Sequence, residues 1–126
     1  MTANEIDQAR TLLTRIPALE RPCDLDLFVF FAKHPRTLMA SDQLARLLGY
    51  QLNEIARSLD VLLAAGLLTR TQNLTRPVRM YVFATGGTNG GSVPAVVELA
   101  STREGRLALR RVLTHSRVRA TGDLAP

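Results

Sequence analysis

The order of residue patterns along the chain predicts a mainly α protein with one small antiparallel β-hairpin, an α+β arrangement. Two short helix patterns lie back to back at 41–49 and 53–65 with a tight break between them, and two strand-like runs follow at 67–72 and 78–84 around a polar turn. Further helix patterns at 3–16, 25–32 and 102–115 outnumber the strands. With 126 residues, 46% of them hydrophobic, the chain can bury one compact core but is short for two ordinary domains. The expectation is a single domain over 1–126, with its core at about 22–115, an N-terminal helix at 3–16, a flexible glycine-rich loop at 85–92 and a polar, disordered tail from about 117 to 126.

The first helix pattern puts Ile6, Ala9, Leu13 and Ile16 on one stripe, and Pro17 stops it. Asp24 can cap the next helix, whose 25–32 run is apolar on nearly every side and therefore buried. Residues 38–40 are short enough for a small first strand. Ser41 then stands where an N-cap hydroxyl would serve the helix carrying Leu44, Ala45, Leu47 and Leu48. A sharp turn at 49–53 leads to a helix with Ile55, Leu59, Leu62 and Leu63 at helical spacing, closed by Gly66 as a left-handed cap. In the second strand Val78, Met80, Val82 and Ala84 alternate with Arg79, Tyr81 and Phe83. The 94–100 run is ambiguous between strand and helix. Ser101 and Glu104 form a capping-box pattern for the last helix, whose apolar stripe of Leu109, Val112 and Leu113 lies opposite Arg103, Arg106 and Arg110.

A helix pair followed by a hairpin is the order of a winged helix-turn-helix domain. The segments LARLLG (44–49) and LDVLLAAGLL (59–68), with STREGRLAL (101–109) after the hairpin, resemble bacterial regulators of the MarR and ArsR kind over about 25–113. That resemblance implies a transcriptional regulator that binds double-stranded DNA, with a recognition helix at about 53–65 in the major groove. Its solvent-facing positions would be Gln51, Asn53, Glu54, Arg57 and Ser58, with Val61 farther along. Arg57 suits guanine and Asn53 or Gln51 suits adenine, whereas Glu54 and Asp60 oppose contact with phosphates. Arg70, Arg76 and Arg79 would carry the wing onto the DNA backbone. A homodimer is expected from the apolar helices at 3–16 and 102–115 and from the two-fold operators such proteins read. Any small-molecule effector would sit near Phe28 and Phe31.

Charge points the same way. Residues 1–69 hold seven basic and eight acidic side chains, whereas 70–119 hold nine arginines against Glu98 and Glu104, so the net +5 arises in the second half. A one-sided basic surface attracts polyanions. The arginine stripe at Arg103, Arg106, Arg110, Arg111, Arg117 and Arg119 would be solvated, extend a DNA footprint, or meet acidic groups across a dimer.

Other functions lack their residues. Cys23 is the only cysteine and His34 and His115 stand apart, so no internal disulfide, metal site or metal sensing is expected. The 85–92 glycines lack the Lys-Ser/Thr ending of a phosphate loop, and paired catalytic carboxylates and a nucleophile elbow are missing, which argues against an enzyme and against a cofactor. No membrane-length apolar run or leader-like start is present, so a cytoplasmic protein without a membrane partner is expected. The competing reading is a winged helix that binds a protein partner without sequence-specific DNA binding; Glu54, Asp60 and the neutral first half favour it.

Overall fold

The computed structural model describes residues 3–72, 79–84 and 92–124, with side chains to Thr114 on the last helix. In chain order these residues form α1 (Ala3–Arg15), α2 (Pro22–Lys33), α3 (Ser41–Leu48), α4 (Leu52–Ala64), β1 (Leu68–Gln72), β2 (Arg79–Phe83), α5 (Ser92–Ala100) and α6 (Arg103–Leu124). The protein is thus mainly helical with a two-stranded antiparallel sheet. It divides into two compact units, one of Met1–Leu25 with Asn89–Pro126 and the other of Asp26–Thr88.

In the first unit α1 packs on α5 and α6, and α5 packs on α6. The faces brought together are Ala9, Leu12, Leu13 and Ile16 of the N-terminal segment, Val96 and Ala100 of α5, and Ala108, Leu109, Val112 and Leu113 of α6, all buried. Each such large aliphatic side chain contributes roughly 1.5–3 kcal/mol by leaving water. The stripes that in the sequence suggest a dimer interface are covered by one another within the chain. An amphipathic stripe specifies that it must be covered, and here the covering element lies about ninety residues away in the same chain.

Local chemistry sets where these helices begin. Pro22 takes the first position of α2, where a missing N–H costs nothing. Asp24 lies inside the first turn, not ahead of the helix as its capping pattern suggests. Its buried carboxylate reaches back to accept from the amides of Glu20 (3.2 Å) and Arg21 (3.0 Å) and meets the Arg21 guanidinium at 3.3 Å. The ambiguous run near 94–100 is helix α5, with Pro94 in the first turn, where no intrahelical donor is needed. Thr102, not Ser101, caps α6, since its hydroxyl accepts from the Gly105 amide at 2.9 Å, whereas Ser101 donates to the Val97 carbonyl at 2.8 Å. The two helices are so closely joined that Ser101 still belongs to the end of α5. Gly105 is buried at this junction, and a Cβ there would stand 1.8 Å from the Leu99 carbonyl oxygen. Helix α6 continues to Leu124, through residues whose polarity suggests a disordered tail.

In the second unit the wholly buried apolar residues are Leu27, Phe28 and Phe31 of α2, Leu44 of α3, and Ile55, Leu59 and Leu62 of α4. Phe28 meets the Phe83 ring of β2 with centroids 6.4 Å apart. Complete burial makes Phe28 and Phe31 part of the core here. Helix α3 packs on α4 and on β2, and α4 packs on β1. The glycine-rich loop expected at 85–92 lies outside the described residues except for Ser92, which starts α5.

Candidate nucleic-acid interface

The α3–α4 pair is built from a short amphipathic helix, a left-handed glycine and a longer helix. Ala40 occupies the N-cap of α3, so Ser41 is its first helical residue and does not serve as the expected cap. Gln43 instead accepts from the Ala40 amide at 2.9 Å, the return half of a capping box. At the other end Gly49 has φ 79° and its amide reaches the Ala45 carbonyl at 3.0 Å, ending the helix abruptly. Tyr50 follows, and its hydroxyl donates to the Asp26 carboxylate of α2, tying the turn to the core helix. Gln51, extended at φ −71° and ψ 150°, then opens α4 at Leu52, one residue before the expected start.

Helix α4 ends in a Schellman motif. Gly66, at φ 76°, donates to Leu63 and Leu67 donates to Leu62, both at 3.0 Å, while the Leu62 and Leu67 side chains are buried. Leu67 leads directly into β1. The hairpin register pairs Leu68 with Phe83, Arg70 with Tyr81 and Gln72 with Arg79. Directly paired residues share a face of an antiparallel ladder, so Arg70 and Arg79 lie on the same face, toward the end where the turn begins. Both side chains are exposed. The strand expected at 38–40 is reduced to one bridge, in which Met39 and Tyr81 exchange backbone hydrogen bonds of 3.0 and 2.9 Å. Strand β2 therefore runs between Met39 and β1. The hairpin tip at 73–77, with Arg76, lies outside the described residues.

The exposed start of α4 brings Gln51, Asn53, Glu54 and Arg57 together. At 100° per residue Asn53, Glu54, Arg57 and Asp60 fall within about 120° of arc, and all four are exposed. Asn53 also accepts from the Glu54 amide through Oδ1 at 3.0 Å. Ser58 departs from the expected set. It is wholly buried, and among the described residues its hydroxyl has no hydrogen-bond partner. Its position explains this, since Ser58 is three residues after Ile55 and four before Leu62, on the side that packs inward. Val61 is half-buried at the margin.

Two large apolar residues lie exposed on this surface, which their apolar character does not suggest. Leu47 in the last turn of α3 is 57% exposed and Leu52 in the first turn of α4 is 53% exposed, flanking the Gly49 turn. Leu47 belongs to the same apolar sequence pattern as the buried Leu44, but three leucines and an alanine within five residues are more than one face of a short helix can bury. Around Arg57 the single positive charge is outweighed by Glu54 and Asp60, so the cationic character of the site comes from the hairpin.

Among the described residues no three His, Cys, Asp or Glu side chains gather as metal ligands would, and no helix is long and apolar enough to cross a membrane. Compared with protein-family models, with curated proteins and with solved structures, the chain has no match.

Proposed function

We propose that this protein is a winged helix-turn-helix transcriptional regulator that binds double-stranded DNA, with α4 in the major groove and the hairpin as a wing on the phosphate backbone. The observation that carries the reading is the continuous unit α3, Gly49 turn, α4 and hairpin, with Met39 bridged to β2 as a vestigial first strand. An exposed α4 start suits insertion into a groove about 12 Å wide. Arg57 is the guanine reader and Asn53 and Gln51 the adenine readers, each good pair giving roughly 1–3 kcal/mol of base discrimination. Glu54 is the residue that accepts from cytosine. Arg70, Arg76 and Arg79 meet phosphates, and three such contacts give a log-log salt slope of about 2.7 per subunit. The protein acts as a homodimer on a two-fold site, through surface other than the covered stripes of α1 and α6, and occludes or recruits at a promoter.

The test is fluorescence anisotropy of a labelled duplex across a salt series, with wild type and the Arg57→Glu/Arg76→Glu/Arg79→Glu variant. Micromolar or tighter binding that weakens steeply with salt and collapses in a folded variant is the expected result. Absence of wild-type binding at low salt would overturn it. The exposure of Leu47 and Leu52 beside Glu54 and Asp60 favours one other reading, a winged helix that docks a protein partner. Under that reading Leu47→Ser/Leu52→Ser abolishes a partner complex while the arginine variant has no DNA phenotype.

A further inference from the structure

Helix α4 carries apolar surface that the core does not use. Ile55, Leu59 and Leu62 are wholly buried on its inward side, whereas Leu52, its first residue, is 53% exposed. Ala56 lies one turn farther along the same side and is exposed as well. At 100° per residue Leu52, Ala56 and Asn53 follow one another within about 100° of arc, so the apolar strip borders the polar arc that holds Asn53 and Arg57. Gln51 and Asn53, both exposed, stand on either side of Leu52 in the chain. A single exposed leucine is ordinary on a protein surface, but the N-terminal residues of a recognition helix are the ones that reach base edges. Arg57, Asn53 with Gln51, and Glu54 have the hydrogen-bonding groups for guanine, adenine and cytosine. Thymine is left, and it differs from the other three in presenting a methyl group in the major groove.

We propose that Leu52, continued by Ala56, is the thymine-reading surface of α4 and packs on thymine 5-methyl groups beside the adenines read by Asn53 and Gln51. This rests on the DNA-binding reading above and assigns a specificity-determining residue to the same site. Every adenine in a duplex is paired with a thymine, so an amide side chain that holds an adenine edge has a methyl group on the same base pair, and Leu52 is the chain neighbour of both amides. Leu52 and Ala56 stand about 6 Å apart along the helix axis at 1.5 Å per residue, less than two base-pair steps of ~3.4 Å. Both surfaces shed water on contact, and each methyl covered should tighten binding about fourfold, the equivalent of about 0.8 kcal/mol for one buried CH2 group. No charge takes part, so the preference for thymine persists as salt rises while total affinity falls. The polar ring of Gln51, Asn53, Glu54 and Arg57 around Leu52 suits a base-pair edge, with its own donors and acceptors, better than the apolar centre of a protein interface.

The experiment takes a duplex enriched on wild type from a randomised pool and remakes it with deoxyuridine at every thymidine. Uracil keeps the major-groove acceptor of thymine and lacks only the methyl. Anisotropy at moderate salt then compares the two duplexes on wild type, Leu52→Ala and Leu47→Ala, alongside thermal melts in the absence of DNA. Wild type should bind the thymidine duplex about fourfold tighter or more. Leu52→Ala should bind the two nearly equally and melt close to wild type, as an exposed side chain allows. Leu47→Ala should keep the preference, because the first helix of the pair crosses the backbone and not the base edges. Equal binding of the two duplexes by wild type overturns the thymine contact and leaves the DNA reading standing. A Leu52→Ala variant with the full preference overturns it too, as does loss of the preference in Leu47→Ala instead. If no duplex is enriched, the DNA reading falls and this contact with it. Self-association of wild type that Leu52→Ala abolishes, with equal binding of the two duplexes, overturns the proposal in favour of an interface between two copies of the chain.

Discussion

Ser58 carries a hydroxyl into a setting where no described residue offers it a partner, between Ile55 and Leu62 on the inward side of α4. A buried polar group left unsatisfied costs roughly 1–3 kcal/mol. Ser58→Ala should therefore raise the free energy of unfolding by about 1 kcal/mol in urea denaturation, and leave duplex affinity unchanged, because the side chain is not on the surface. Tyr50 shows the opposite case, a polar group with a defined task. Its hydrogen bond to the Asp26 carboxylate anchors the turn that sets where α4 begins. Removing a hydrogen bond to a charged group costs about 1.5–3 kcal/mol, and Tyr50→Phe should lose that much while weakening DNA binding by more than its stability loss explains, as read by anisotropy well below the melting temperature. Single residues were the least legible level of the sequence. Gln51, Asn53, Glu54 and Arg57 are exposed as expected of solvent-facing positions, whereas the angle of Ser58 on the helical wheel puts it with the buried leucines. The Tyr50–Asp26 contact joins residues twenty-four apart, and no pattern in the sequence announces it.

At the scale of elements, periodicity locates α1, α3, α4 and α6, because burial of one face is what holds each of them, and α2 is located by its continuous apolar run. Boundaries shifted where competing chemistry decided. Ala40 displaced Ser41 as a cap because Gln43 supplied the return bond, and Thr102 displaced Ser101 because α5 runs almost directly into α6. The 94–100 run was undecidable by period, being a short apolar stretch that fits a buried strand equally well. Two substitutions probe the junctions. Gly66→Ala forces a left-handed Cβ into the Schellman motif and should cost roughly 1–2 kcal/mol. Gly105→Ala meets the backbone of Leu99 and, as overpacking, should cost about 1–3 kcal/mol. Both are read from chemical denaturation midpoints, and a Gly105→Ala variant as stable as wild type would mean that α5 and α6 are free to separate.

At the scale of the whole molecule the two units differ in how the chain reaches them. The second is a continuous segment, Asp26–Thr88, while the first joins Met1–Leu25 to Asn89–Pro126. Contacts distant in sequence require a larger loop to close before they stabilise anything. Refolding followed by pulsed hydrogen exchange should show amides of α3 and α4 protected before those of α1, and simultaneous protection would contradict this order. The same topology explains why the covering of α1 by α6 could not be read in advance: each stripe is legible, but sequence pattern does not say whether its partner is in the same chain or another. The Leu99–Gly105 contact also bears on descent. Any protein that keeps this α5–α6 crossing must keep a residue without a side chain at its closest point, however far the rest of the sequence drifts. A relative with a larger residue at that position has inherited a different angle between those helices, so this one glycine is where divergence of backbone, as distinct from divergence of sequence, would first be seen.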